Sequence, residues 1–169
     1  MNKCIFLDRD GVINKDRVNY AYELENFHIL DGVIEALHKL KDAGYKLVII
    51  TNQSGIAKGI YTREQMNTCH HYLQEQCGGI IDAIYYAPYH ETVTASLTRK
   101  PDSLMLEKGI AKFNADVSKS WMLGDKERDL IPSQKLGIPS ILVAEEAKDG
   151  VGDAHALSLI DAVNDIILV

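Results

Sequence analysis

Apolar strand-like runs alternate with amphipathic helical patterns along this chain. The predicted strands are residues 3–7, 46–51, 83–87, 120–123 and 140–143. The predicted helices are residues 32–43, 62–76, 103–113, 127–136 and 159–168. This alternation is typical of βαβ units, so it predicts an α/β fold: a three-layer Rossmann-like parallel sheet with helices on both faces.

The ends of two helices carry recognisable signals. Asp31 is the predicted N-cap of the first helix, and Gly44 is its predicted C-terminal stop. Thr62 and Gln65 have the spacing of a capping box at the start of the second helix.

Length and composition limit the class of protein. With 169 residues, 46% of them hydrophobic and 25% charged, the chain suits a single soluble domain over residues 1–169. A net charge of −6 argues against bulk nucleic-acid or membrane binding. No apolar run approaches the length of about 20 residues that a membrane span needs.

The cysteines favour a reducing compartment. Cys4, Cys69 and Cys77 are odd in number and form no C-x-x-C pair, so we expect free thiols. The N-terminus lacks the basic and apolar regions of a signal peptide, and together these features predict a cytoplasmic location.

Two aspartates follow the first predicted strand. Asp8 and Asp10 stand two residues apart, with Gly11 directly after them. In open α/β sheets ligands bind at the carboxyl ends of the strands, and two close carboxylates need a cation or a shared proton. A solvated turn is the alternative reading of this segment when it is taken alone.

Three further polar segments lie at the same edge of the predicted sheet: residues 51–55, 99–101 and 124–129. Each one alone could be an ordinary turn or helix start. Two long connections, residues 12–30 and 88–102, leave that edge as well, and loops of this length usually carry function. The four segments together predict one polar cleft.

These segments resemble the phosphatases of the haloacid dehalogenase superfamily, over essentially the full chain. Within that superfamily the chain is most similar to the small histidinol-phosphate and heptose-bisphosphate phosphatases. The similarity is carried by residues 6–11, 51–59, 85–86, 99–101 and 124–126. The resemblance implies a fold of that superfamily, and the short connections leave no room for a large cap domain.

The resemblance also implies catalytic roles. Asp8 would be the nucleophile that forms an aspartyl-phosphate, and Asp10 would be the general acid and then the general base. Asp8 and Asp125 would hold Mg²⁺ together with the main-chain carbonyl of Asp10, since magnesium prefers oxygen ligands.

The remaining implied contacts concern the phosphate and the substrate. Thr51, Asn52 and Lys100 would bind the transferring phosphoryl oxygens, and Lys100 would also contact Asp8. Arg99 would reach the substrate body or a second phosphate.

Five residues have weaker or open assignments. Gln53 and Lys126 are lesser candidates for substrate contact, and Tyr20 and Tyr22 could line the cleft or only pin their loop. Asp129 would orient either the metal site or Lys126.

The chain departs from its relatives in two places. Val12 stands where threonine is common, with a modest expected effect. The cysteines that hold a structural zinc in many relatives are missing from the loop at 88–98, and His90 alone cannot form a tetrahedral site. We therefore predict no structural zinc, and a loop held by packing or mobile. His70 and His71 are expected to form a surface pair on a helix.

The sequence thus predicts a phosphoric monoester hydrolase: a monomeric, Mg²⁺-dependent phosphatase of a small phosphorylated metabolite. A heptose bisphosphate is the first expectation for the substrate, with histidinol phosphate as the alternative. A polynucleotide 3′-phosphatase is a third reading, against which the acidic charge counts. A non-catalytic binding module on this fold is the remaining alternative.

Overall fold

The computed structural model describes residues 1–169 and contains a single parallel sheet. Its strands are β1 (Cys4–Leu7), β2 (Lys46–Asn52), β3 (Ala83–Ala87), β4 (Trp121–Gly124), β5 (Ser140–Val143) and β6 (Ala154–Ala156). Their order is β3-β2-β1-β4-β5-β6, with every neighbouring pair parallel. This doubly wound order reverses direction beside β1, where ligands bind in such sheets.

Five helices connect and cover the strands. They are α1 (Val33–Asp42), α2 (Arg63–Gln76), α3 (Leu104–Phe113), α4 (Glu127–Lys135) and α5 (Leu159–Ala162), the last continued by a π-helical turn at Val163–Ile167. Short 3₁₀ turns lie at Leu24–Asn26 and Val117–Lys119. The predicted strands and helices are confirmed to within one or two residues at each end, whereas β6 was not predicted.

The core consists of two apolar layers, one on each face of the sheet. Ile5 and Leu7 of β1 face the layer that contains α1, α2 and α5, while Cys4 and Phe6 face the layer with α3 and α4. Successive side chains of a strand point to opposite faces, so a strand buried on both sides reads as a continuous apolar run. The expected three-layer α/β fold is confirmed.

The start of α1 corrects one expectation. Gly32, not Asp31, is the N-cap, and no side chain caps this helix. Gly32 has φ +75°, and a Cβ there would lie 2.7 Å from Ile160 Cγ2, so the approach of α5 requires glycine. The capping box of Thr62 and Gln65 is present as predicted, and Gly44 has a positive φ just after α1.

All three cysteines are buried and unpaired. Burial raises the pKa of the Cys4 thiol to about 11, so this thiol is a poor nucleophile. No helix combines the length and apolar character needed to cross a lipid bilayer.

Candidate active site

The turn after β1 presents Asp8 and Asp10 at the carboxyl edge of the sheet. The main-chain N–H of Asp8 donates to the carbonyl of Leu123 at 2.9 Å, which extends the pairing with β4 to the first aspartate. Gly11 then adopts φ +90°, and a Cβ there would overlap the carboxylate of Asp125. Glycine therefore permits both the turn and the close approach of Asp125.

The floor of the cleft is a buried ion triplet formed by Asp8, Lys100 and Asp129. Lys100 Nζ lies 2.7 Å from Asp8 Oδ1 and 2.8 Å from Asp129 Oδ1. It also donates to the carbonyl oxygen of Ile50 at 2.8 Å. The ammonium group thus lies between two carboxylates and is anchored to the end of β2, so this lysine fixes both carboxylates through its charge.

The floor has one positive charge against two negative ones. Burial and the Asp129 carboxylate raise the pKa of Asp8 to about 7, against the influence of Lys100. Burial tends to lower the pKa of Lys100, but the two carboxylates outweigh it and the net shift is upward. A cation bound beside Asp8 would favour the ionised carboxylate.

Asp10 is held by three donors on its own side of the cleft. Its Oδ1 accepts from Arg9 Nη2 at 2.8 Å and from Asn14 Nδ2 at 2.9 Å, and its Oδ2 accepts from Gln53 Nε2 at 3.0 Å. Burial opposes ionisation, but Arg9 and the amide donors hold the pKa of Asp10 below its usual value. The resting carboxylate is therefore ionised and ready to accept a proton.

Gln53 and Thr51 lie beneath Asp10 rather than in the open cleft. Thr51 is fully buried, and its hydroxyl accepts from Gln53 Nε2 at 2.8 Å. Tyr61 donates to Gln53 Oε1 at 2.6 Å, which sets the orientation of the amide. The buried position of Gln53 makes it a support for Asp10.

Asn52, at the end of β2, is paired with the main chain of Lys100. Its Nδ2 donates to the Lys100 carbonyl at 3.0 Å, and its Oδ1 accepts from the Lys100 N–H at 3.0 Å. This reciprocal pair joins two segments that lie far apart in the chain. Asn52 therefore positions Lys100 as well as lining the cleft.

Three carboxylates could hold a divalent cation. Oxygen atoms of Asp8, Asp125 and Asp129 lie within 4.8 Å of one another. Asp125 Oδ1 is buried and has no hydrogen-bond partner. Burial raises the pKa of Asp125 to about 6, with Lys126 opposing and Asp129 reinforcing the shift. An oxygen-only set with an unpartnered buried oxygen fits Mg²⁺.

The cleft above the floor is small and polar. It is lined by 14 residues, of which two are hydrophobic, and encloses about 90 Å³. Sites for whole drug-sized ligands enclose about 300–1,000 Å³, so the enclosed part accommodates a phosphoryl group and leaves the rest of a substrate outside.

Charged side chains surround the mouth of the cleft, and we call them the rim: Asp16, Arg17, Arg99, Lys126 and Arg128. Lys126 Nζ lies 2.6 Å from Asp16 Oδ2 and 3.3 Å from Asp125 Oδ2. Asp129 Oδ2 accepts from the main-chain N–H of Lys126 at 3.1 Å. Asp129 thus contacts both Lys100 and the Lys126 backbone.

Arg99 lies between the cleft and the loop at 88–98. Its Nε is 3.3 Å from Glu91 Oε2, and its Nη1 donates to the Tyr89 carbonyl at 3.2 Å. His90 in this loop pairs through Nδ1 with the Thr92 hydroxyl at 2.7 Å. The loop is therefore held by local hydrogen bonds and by Arg99, and the absence of zinc stays a prediction.

The two tyrosines of the first long loop have different positions. Tyr20 lines the cleft, and its hydroxyl accepts from Lys58 at 3.1 Å. Tyr22 stacks on Tyr61, with ring centroids 5.0 Å apart. Tyr20 is thus available to a substrate, and Tyr22 fixes the loop.

The expectation of a surface pair at His70 and His71 is wrong for His70. That side chain is buried, with its Nε2 3.4 Å from Arg9 Nη1. Burial and the adjacent guanidinium lower the pKa of His70 to about 3, so the ring is neutral and accepts from Arg9. His71 is exposed. The buried Arg9, which needs an acceptor on that side, accounts for the difference.

Several residues that line the cleft were not singled out from the sequence, namely Arg9, Asp16, Arg17, Ser54 and Arg128, and neither was the buried Asn14 that donates to Asp10. All lie next to a strand-end segment or in the first long loop. Their proximity to Asp8, Thr51 or Asp125 in the chain was a usable signal. The predicted residues that do gather in the cleft are Asp8, Asp10, Asn52, Arg99, Lys100, Lys126 and Asp129.

Comparison with known proteins gives concordant results. The profile of the family described as haloacid dehalogenase-like hydrolase matches residues 8–143. A D-glycero-beta-D-manno-heptose-1,7-bisphosphate 7-phosphatase of Haemophilus ducreyi is 33% identical, with 98% of this chain and 96% of the relative covered. An enzyme of the same name from Pasteurella multocida is 38% identical, with coverages of 88% and 84%.

A solved structure shares the fold. The D,D-heptose 1,7-bisphosphate phosphatase from B. bronchiseptica, crystallised with magnesium and phosphate, has a TM-score of 0.85 to this chain at 28% identity. The match covers 95% of this chain and 96% of that one.

Proposed function

This chain belongs to the haloacid dehalogenase-like hydrolase family, and from that premise we propose that it is a Mg²⁺-dependent phosphatase that removes the 7-phosphate of D-glycero-D-manno-heptose 1,7-bisphosphate. Relatives named for that activity align with nearly all of the chain. The observation that carries the proposal is the buried Lys100 that joins Asp8 to Asp129 at the floor. Phosphoryl transfer depends mainly on such positioning and charge stabilisation.

The first chemical step uses Asp8 and Asp10. A carboxylate oxygen of Asp8 attacks phosphorus, and the bond from phosphorus to the sugar oxygen breaks. The anionic phosphate that enters the cleft favours protonation of Asp10, which is ionised in the empty site. The protonated Asp10 gives its proton to that leaving oxygen, so that a sugar hydroxyl and an aspartyl-phosphate are formed.

The second step returns the enzyme to its starting state. Asp10, now a carboxylate held by Arg9, Asn14 and Gln53, takes a proton from a water molecule. The oxygen of that water attacks phosphorus, and the bond to Asp8 breaks. Inorganic phosphate leaves, and Asp10 has regained its proton.

The metal would be held by Asp8, Asp125 and the main-chain carbonyl of Asp10, with the Asp129 carboxylate alongside. When bound, Mg²⁺ neutralises charge so that an anionic nucleophile can approach an anionic phosphate. Lys100 adds a positive charge at the same oxygens and keeps Asp8 aimed into the cleft. Asn52 assists by holding Lys100 through its main chain.

We also propose a cytoplasmic site of action. Three buried free thiols support a reducing compartment.

A substrate panel tests the proposed function. Phosphate release would be measured with heptose 1,7-bisphosphate, histidinol phosphate and a 3′-phosphorylated oligonucleotide, with Mg²⁺ and with chelator. We expect heptose bisphosphate to give the highest kcat/KM and the chelator to abolish turnover. A tenfold higher kcat/KM for histidinol phosphate, which corresponds to about 1.4 kcal/mol in the transition state, would overturn the substrate assignment.

A further inference from the structure

The two carboxylate oxygens of Asp10 differ in how many donors they already accept from. Oδ1 accepts from Arg9 and from Asn14, whereas Oδ2 accepts from Gln53 alone. A carboxylate has about four acceptor positions, two on each oxygen, so the free position is on Oδ2. The side chain of Asp10 is 22% exposed and lines the cleft. Oδ2 is therefore the oxygen on which a transferable proton fits.

The orientation of the Gln53 amide decides where a proton on Oδ2 points. Nε2 faces Asp10 and donates to its Oδ2 at 3.0 Å and to the Thr51 hydroxyl at 2.8 Å. An amide NH₂ group cannot accept, so a proton on Oδ2 finds no acceptor among the protein partners of Asp10 and is directed into the cleft. With the amide reversed, Oε1 would face Oδ2 and accept that proton. Asp10 would then donate to Gln53 instead of to the leaving oxygen.

Tyr61 opposes this reversal of the amide. Its hydroxyl donates to Gln53 Oε1 at 2.6 Å, and the structure gives it no other acceptor. The side chain is 4% exposed, and burial raises the pKa of Tyr61 above its usual value, so the hydroxyl keeps its proton. Reversal would leave this buried O–H group without an acceptor, which is unfavourable.

The ring of Tyr61 is itself held in place by packing. Tyr22 stacks on it with ring centroids 5.0 Å apart and nearly parallel planes. On another side it lies so close to Gly55 that a Cβ there would overlap the ring. Glycine at the end of the 51–55 segment thus allows the close approach of the ring. This packing keeps the hydroxyl next to Gln53.

We propose that Tyr61 is a positioning residue for proton transfer: through the Gln53 amide it keeps the proton of Asp10 on Oδ2 and directed at the leaving oxygen. The proposal rests on the proposed function, in which Asp10 is the general acid. Tyr61 touches neither Asp10 nor the cleft and acts only by fixing which end of the amide faces the carboxyl group.

The test uses two substrates that differ in their need for a general acid. Phenyl phosphate has a poor leaving group that needs a proton, whereas 4-nitrophenyl phosphate has one that departs without it. kcat/KM would be measured for both with Mg²⁺, because this constant covers the steps up to departure of the phenol and excludes hydrolysis of the aspartyl-phosphate. The ratio of the two constants does not depend on the fraction of folded enzyme.

Tyr61→Phe should lower the ratio of phenyl to 4-nitrophenyl phosphate about tenfold, a part of the roughly 10²–10⁴-fold that general acid catalysis supplies. Tyr45→Phe is the matched control. Tyr45 is also buried, at 7% exposure, but it directly precedes β2 at the opposite edge of the sheet. Its substitution should keep the ratio of the wild type.

A second pair of variants tests whether Tyr61 acts through the amide. Gln53→Met removes the amide while keeping a side chain of similar length, so adding Tyr61→Phe to it should not change the ratio further. An equal effect of Tyr61→Phe with and without Gln53 would overturn the proposal, because the hydroxyl would then act by another route.

The remaining outcomes separate this proposal from the proposed function. If the wild type hydrolyses both esters and Tyr61→Phe keeps its ratio, the hydroxyl does not direct the proton of Asp10, and the phosphatase assignment stands. If the wild type with Mg²⁺ releases phosphate from neither ester, the proposed function itself is wrong.

Discussion

The floor and the rim of the cleft are both charged, but they are built in opposite ways. At the floor, Lys100 and Asp129 are each about 1% exposed, and the lysine contacts two carboxylates below 3 Å. At the rim, Asp16 and Lys126 are 45% and 42% exposed, and Arg17 and Arg128 have no protein partner.

This difference separates chemistry from substrate choice. Breaking a buried charge cluster leaves uncompensated charge, so the floor tolerates little change. Exposed charges are screened by water and cost little to alter, so the rim can be adapted to a particular substrate. We expect substitutions at the floor to affect every substrate and substitutions at the rim to affect only some.

The largest expected effect follows from removing the nucleophile. Asp8→Asn should lower kcat for any phosphate monoester by about three orders of magnitude or more, because the amide cannot form the aspartyl-phosphate. The measurement is phosphate release from 4-nitrophenyl phosphate with Mg²⁺. Asp42→Asn, an exposed position on α1, is the control and should keep its activity. A rate for Asp8→Asn within tenfold of the wild type would show that another group attacks phosphorus.

The next effect concerns stability at the floor. Lys100→Met should lower the free energy of unfolding by about 3 kcal/mol, because two buried carboxylates lose their counter-ion. Urea titration in metal-free buffer measures this change. Lys119→Met, which removes a 71% exposed lysine from a pair with Asp116, should change the free energy by less than about 1 kcal/mol. Equal effects of the two substitutions would remove the distinction between buried and exposed charge.

The buried His70 behind the floor predicts a pH dependence. Its pKa is about 3 in the folded protein and about 6.5 when unfolded, so between these values the unfolded chain binds the extra proton. Stability from this group is therefore present above pH 6.5 and declines as the pH falls. Between pH 7.5 and pH 5 this group should lower the free energy of unfolding of the wild type by about 2 kcal/mol, and His70→Gln should lack that decrease.

The matched control for this prediction is His71→Gln. His71 is the exposed neighbour in the same helix, and its substitution should keep the pH dependence of the wild type. The free energy of unfolding would be measured by urea titration at each pH. If the free energy of unfolding changed with pH equally in the wild type and in His70→Gln, the ring would not be held neutral by burial.

The smallest effect is expected at the rim. Asp16→Asn breaks the exposed ion pair with Lys126 and should change the free energy of unfolding by less than about 1 kcal/mol. Added salt should reduce even that difference, since exposed charges are screened. A loss as large as that of Lys100→Met would mean that rim and floor do not differ in kind.

The sequence was most informative where local rules determine the structure. Asp8, Lys100 and Asp129 follow strand ends or helix starts, and parallel strands bring such segments to one edge. The capping box at Thr62 was readable because a cap is a local hydrogen-bond pattern.

The errors arose where distant contacts decide the structure. Asp31 lost the cap to Gly32 because Ile160 packs there, and His70 is buried because Arg9 needs an acceptor. Neither partner is near in sequence. The strand β6 was missed because Ala154–Ala156 is short and pairs only with β5, so it has little pattern of its own.

Trapping the covalent intermediate tests the central claim most directly, since it asks whether Asp8 itself receives the phosphoryl group. The Asp10→Asn variant, in which the hydrolytic water has lost its base, would be mixed with Mg²⁺ and 4-nitrophenyl phosphate, whose leaving group departs without a general acid. The mixture would be quenched in acid and analysed by peptide mass spectrometry. We predict one phosphoryl group on the peptide that contains Asp8, and none in Asp8→Asn. Phosphate release by the wild type with no modified Asp8 peptide, or modification at another residue, would contradict the account.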